Sequence, residues 1–121
     1  MATHWGPIGE RFIDDVAILD VPGGPISLSD NHKRLLAAIH QIIGRGWLKI
    51  LLNLQDVQYM DSQGLQEIIE GYKATKDSGG MLKLYGVVHR IRALLVETKV
   101  DRVMSAFDSE DAALRSFAGS A

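Results

Sequence analysis

The residue of most chemical interest is Ser62, in the run Met60-Asp61-Ser62-Gln63-Gly64. A serine hydroxyl can attack a substrate when a neighbouring base takes its proton, or it can accept a phosphoryl group. The first use lacks support, because the run is not a Gly-x-Ser-x-Gly elbow and no histidine lies beside it in sequence. The four histidines do not suggest a metal centre either: His4, His32, His40 and His89 show no His-x-x-x-His or related ligand spacing. Neither a Gly-x-x-x-x-Gly-Lys-Ser/Thr loop nor a Gly-x-Gly-x-x-Gly loop occurs, so no nucleotide cofactor is expected. The residues point to a binding protein and not to an enzyme, with no catalytic residue, metal or cofactor.

Ser62 stands where a buried strand passes through a short loop into a helix. The run Leu48, Ile50, Leu51, Leu52, Leu54 is apolar without strict alternation, as expected of a central strand covered on both faces. Beyond the loop, Leu65, Ile68, Ile69 and Tyr72 recur at helical spacing, and Gly79-Gly80 gives a stop signal. A helix is predicted over about 62–77. Ser62 falls at or beside its N-cap, and Asp61 could do the same work, so the plain reading of both is a cap. Leu65 begins the buried stripe, whereas Gln63 and Gln66 lie off it and are candidates for an exposed partner surface. Gly64 either keeps the approach to Ser62 open or eases a tight loop.

Upstream, residues 8–13 and 16–21 read as a hairpin turning at Asp14-Asp15. Pro22-Gly23-Gly24-Pro25 ends the second strand, and Ser29-Asp30-Asn31 offers caps for a helix starting near Asp30. Leu35, Leu36, Ile39, Ile42 and Ile43 supply that helix's apolar stripe, which stops at Gly44-Arg45-Gly46. Downstream, Met81, Leu82, Leu84, Val87 and Val88 suggest a strand, and Ile91, Leu94 and Leu95 a helix. A last strand is expected around 102–107, then a closing helix headed by Asp108-Ser109-Glu110-Asp111. Strands alternating with helices imply an α/β fold, with a mixed central sheet opened by the hairpin and largely parallel afterwards. Trp47 opens the central strand and is expected in the core; Trp5 is either core or contact.

The 121 residues fit one domain, with a core of about 8–118. A net charge of −2 without any basic block argues against direct nucleic-acid binding. The absence of cysteine excludes disulfides and thiolate ligands and agrees with a cytoplasmic setting. The longest apolar run, within 47–54, is far short of the roughly 20 residues a spanning helix needs. The first residues show no basic segment followed by an apolar core, so no secretory signal is expected.

Asp61-Ser62-Gln63-Gly64-Leu65, between an apolar strand and a helix ending in Gly79-Gly80, resembles the Asp-Ser-x-Gly-Leu signature of STAS domains in anti-sigma-factor antagonists. The resemblance runs over about 8–118 and takes in Gly-Gly followed by an apolar strand and the closing Phe107-Asp108-Ser109-Glu110-Asp111-Ala112-Ala113-Leu114. It implies a phosphorylatable serine at Ser62, a partner that is both serine kinase and anti-sigma factor, and a separate phosphatase. Asp56, Asp61, Gln63, Gly64, Gln66 and Ser27 are then the expected partner-binding residues.

Two departures stand out. Many antagonists carry an acidic residue in a Gly-Glu-Leu-Asp-like segment near the serine, where this chain reads Gly24-Pro25-Ile26-Ser27. Many relatives also end the third helix in Ser/Thr-Gly-Leu, where this chain has Thr98-Lys99-Val100. The competing expectation is a STAS subunit of a larger assembly, such as a lipid-transport complex or stress-sensing particle, in which Ser62 is mostly structural. An exposed apolar patch would favour a third class, a homo-oligomer.

Overall fold

The computed structural model describes residues 7–23, 25–26 and 34–118. Two strands open it, β1 (Gly9–Ile13) and β2 (Val16–Asp20), paired antiparallel around Asp14-Asp15, with Asp14 at φ 53°. The helix α1 (Arg34–Gly44) leads to β4 (Lys49–Asn53), and a two-residue β3 (Pro25–Ile26) precedes α1. Then come β5 (Tyr59–Met60), α2 (Ser62–Asp77), β6 (Met81–Tyr85), α3 (His89–Glu97), β7 (Ala106–Phe107) and α4 (Glu110–Ala118).

The main sheet has the order β1-β2-β4-β6-β7, with every pairing after the hairpin parallel. β4 is therefore the middle strand, as its apolar run without strict alternation predicts. Side chains alternate between the two faces of each strand. Ala17, Leu19, Ile50, Leu52, Leu82 and Leu84 face one way and join Leu35, Ile39, Ile68, Ile91 and Leu95 from α1, α2 and α3 in the larger core. Val16, Ile18, Leu51 and Tyr85 face the other way, onto Ala113 and Phe117 of α4. Fully burying an aliphatic side chain such as Leu52 or Ile68 contributes roughly 1.5–3 kcal/mol.

In the α4 layer, the Lys83 amine donates to Ser116 Oγ at 2.8 Å and lies 4.5 Å from the Phe117 ring centre. Burial, with help from Lys49, holds its pKa below the usual lysine value. Ser109 heads α4, its hydroxyl oxygen accepting the Ala112 amide at 3.1 Å, in keeping with the caps expected there.

Several boundaries differ from the sequence reading. The strand drawn through Val88 stops at Tyr85, because Gly86 turns the chain at φ 76°. The last strand, expected from 102, is only Ala106–Phe107; Val100–Arg102 is a 3-10 turn. The short parallel pair β3–β5, Pro25 against Tyr59 and Ile26 against Met60, was not foreseen, since two residues carry no periodicity. Trp47 is half-buried, packing on the core on one side and on exposed Phe12 on the other. Trp5, the helix start near Asp30 and the caps Ser29-Asp30-Asn31 lie outside the described residues.

Candidate functional site

The parallel strands end in one row at Asp20, Asn53, Tyr85 and Phe107, and Ser62 lies beyond that end of the sheet. Chain leaving β4 is held by every third residue. Leu54, Val57 and Met60 are buried, while Gln55, Asp56, Gln58 and Tyr59 are exposed. Leu54 donates its amide to the Tyr85 carbonyl at 3.0 Å, and the Gln55 amide donates to Asn53 Oδ1 at 3.1 Å. Gly86 lets the next strand's exit pass close by: a Cβ there would stand 2.7 Å from that of Gln55. The loop reaching Ser62 is thus fixed by backbone and core contacts.

Asp61 supplies the cap of α2. Its backbone is extended (φ −100°, ψ −176°), and its Oδ1 accepts the Gly64 amide at 2.8 Å. Ser62 is the first helical residue and is exposed, and its hydroxyl has no hydrogen-bond partner among the described residues. Of the two cap candidates, geometry selects Asp61 and leaves the Ser62 hydroxyl at the positive end of the helix dipole.

The expected partner-binding residues separate in space. Asp61 is half-buried behind the serine, and Gln63 and Gln66 are exposed on α2 beyond it. Asp56 is exposed on the loop, where its carbonyl backs against Gly23. Gly64 is buried, so it acts through its amide on Asp61 and not as an exposed contact. Leu65 is core, 6% exposed. Ser27 lies outside the described residues.

Two residues the sequence reading missed set where α2 sits. Glu67 is 5% exposed and accepts the Leu36 amide of α1 at 3.3 Å. At Gly71 a Cβ would come within 2.5 Å of Ile39 Cδ1, so any side chain here has to displace the buried end of Ile39 between α1 and α2. With Leu36 level with Glu67 and Ile39 level with Gly71, the two helices run in the same direction. Their positive ends therefore face the same end of the sheet. The available signal was spacing: Glu67 shares a helix stripe with Gly64 and Gly71, three residues after the one and four before the other, on the side of Gly64 away from Leu65.

Behind the loop, Arg11 holds Asp20 through two hydrogen bonds of 2.6 and 2.7 Å and Glu110 through two more of 2.7 and 3.2 Å. Asn53 donates to Asp20 at 2.8 Å and Tyr85 to Glu110 at 2.8 Å, which ties β1, β2, β4, β6 and α4 together. Hydrogen bonding from Arg11 keeps both carboxyls below their usual range, and burial plus the bond to Glu110 pushes the Tyr85 phenol to about 12.

This arrangement coincides with a known family. The model of the STAS domain matches residues 11–113. The chain belongs to the STAS domain family. It is 28% identical over 109 residues to a candidate anti-sigma factor antagonist of Thermotoga neapolitana, covering 90% of this chain and 96% of that one. The crystal structure of a candidate antagonist from Thermotoga maritima is 27% identical, with a TM-score of 0.77 over 90% of this chain and 92% of that one. The phosphorylated form of the Bacillus cell-fate determinant SpoIIAA has the same fold at 17% identity, with a TM-score of 0.68 over 91% and 98%. The STAS assignment agrees with the family expected from Asp61-Ser62-Gln63-Gly64-Leu65. Among the described residues, no helix is long and apolar enough to cross a membrane.

Proposed function

We propose that this STAS domain is an anti-sigma-factor antagonist whose partner binding is switched by reversible phosphorylation of Ser62. The observation that carries the reading is the division of labour at the head of α2, where Asp61 caps the helix and the exposed Ser62 hydroxyl is left unengaged. A cap serine would have to give up a structural hydrogen bond to be modified; Ser62 does not. A phosphate there adds about −1.5 to −2 charge beside a helix end that contributes about half a positive charge. The fold tolerates that charge.

A partner seated on the exposed Gln63, Gln66 and Asp56 around a neutral serine meets new bulk and charge when Ser62 is modified. Like-charge juxtaposition can cost several kcal/mol of binding. Phosphorylation thereby releases the partner without unfolding the domain. In this reading the partner is an anti-sigma factor that is itself the serine kinase, and a phosphatase restores the binding form. SpoIIAA, which shares the fold, is known in phosphorylated and unphosphorylated forms.

The test is phosphosite mapping of the protein from its native cells, with capture of partners by wild type, Ser62→Ala and Ser62→Asp. Phosphate on Ser62, and a kinase-like partner kept by wild type and Ser62→Ala but lost by Ser62→Asp, is the expected result. An unmodified Ser62 with identical partners for both variants overturns the switch and leaves a constitutive subunit of a larger assembly.

A further inference from the structure

Among the described residues, the outer edge of β1 is unpaired, and it is self-complementary. The hairpin turns through two residues, with Ile13 opposite Val16, Arg11 opposite Ile18 and Gly9 opposite Asp20. Such a turn closes on a hydrogen-bonded pair, and bonded and non-bonded pairs alternate along the ladder. Ile13, Arg11 and Gly9 therefore bond to β2, and the backbone groups of Glu10 and Phe12 point outward. Among the described residues nothing bonds to them. Edge strands are commonly guarded by proline, lysine or a bulge. Gly9-Glu10-Arg11-Phe12-Ile13 has neither residue and pairs in unbroken register. Its two charges are already neutralised, Glu10 by Arg45 at 2.9 Å and Arg11 by Asp20 and Glu110.

Phe12 is 44% exposed on this edge, stacked on Trp47 with ring centres 4.7 Å apart and flanked by the Arg45 guanidinium 5.8 Å from its own centre. We propose that a second copy of this chain pairs here, β1 against β1, antiparallel about a two-fold axis through Arg11, so that the two sheets become one. That register uses the outward backbone groups of Glu10 and Phe12 as bonded pairs. It sets Glu10 opposite the second copy's Phe12, where the second copy's Arg45 already lies, so each Arg45 is shared between the two Glu10 carboxylates. It sets Gly9 opposite the second copy's Ile13, where the missing side chain leaves room. A symmetric interface needs a patch that carries both members of its contacts; Glu10, Phe12 and Arg45 do so on one face, while on the axis the two Arg11 side chains meet with their charges held by their own Asp20 and Glu110. The inference stands apart from the Ser62 switch, since it concerns the sheet edge and leaves the head of α2 uncovered.

Sedimentation equilibrium of the full chain across a concentration series, with far-UV circular dichroism to confirm folding, tests the pairing. Wild type should sediment as a dimer of the 13.3 kDa chain. Phe12→Lys and Glu10→Arg should each raise the dimer dissociation constant by about tenfold or more, and Arg45→Glu should restore dimerisation to Glu10→Arg. Met81→Lys, at a 40% exposed position on β6, should leave it unchanged. A monomer at every concentration, or a dimer indifferent to both β1 variants, overturns the proposal.

Discussion

Asp61 Oδ1 accepts the Gly64 amide at 2.8 Å, so the aspartate before Ser62, and not Ser62, closes the first turn of α2. Loss of a helix cap typically costs about 1 kcal/mol, whereas an exposed side chain without a partner changes stability by within about 0.5 kcal/mol. Asp61→Ala should therefore lower the urea midpoint by an amount equivalent to about 1 kcal/mol, and Ser62→Ala should leave it almost unmoved. Equal losses in the two variants would show that the hydroxyl shares the capping work.

Between α1 and α2, Gly71 leaves room for the end of the Ile39 side chain. A Cβ at position 71 would stand 2.5 Å from Ile39 Cδ1, inside a core where Ile39 is fully buried. Gly71→Ala should destabilise the domain by about 1–3 kcal/mol, the usual cost of overpacking. Ile39→Val removes the obstructing Cδ1, so the double variant should lose less than the sum of the two single changes. Additive losses in a double-mutant cycle would place the strain elsewhere.

What could be read in advance followed local rules. The stripe Leu65, Ile68, Ile69, Tyr72 and the glycines after it mark α2 well, because an amphipathic helix repeats its signal every turn. Asp61 and Ser62 are both good caps by type, and only the extended backbone at Asp61 decides between them. Val87 and Val88 have strand propensity, yet Gly86 at φ 76° has already turned the chain, a tertiary choice that propensity does not contain. The Arg11–Glu110, Asn53–Asp20 and Tyr85–Glu110 bonds join residues up to 99 positions apart, so no local pattern announces them.

Those carboxylates give acid denaturation a specific cause. Asp20 and Glu110 titrate below their usual values in the fold, mainly through hydrogen bonds from Arg11. A carboxyl with a depressed folded pKa binds protons more readily when unfolded, so its stabilisation is present above the unfolded pKa, near 4, and is lost as pH falls through the folded value. Stability measured by urea denaturation should be level near neutrality and fall below about pH 4. Arg11→Met should lower the neutral plateau and shrink the acid-dependent drop. An unchanged acid limb would assign the drop to other groups. The side chains of Arg11, Asp20 and Glu110 are 40%, 33% and 29% exposed, so raised salt should also weaken the cluster.

Lys99 closes α3 with φ 64°, a left-handed conformation in which its Cβ crowds the backbone. Left-handed backbone costs a non-glycine residue roughly 1–2 kcal/mol, while glycine adopts it freely but loses roughly 0.5–1 kcal/mol more entropy on folding. The difference favours glycine at this position, the residue that many STAS relatives carry there. Lys99 is exposed, and its charge near the end of α3 contributes only about 0.3–1 kcal/mol against the helix dipole at low salt. Lys99→Gly should therefore stabilise the domain by up to about 1 kcal/mol, with a larger gain at high salt, where the lost charge no longer counts. A loss of stability at high salt would mean that the lysine stem contributes packing that outweighs the backbone strain.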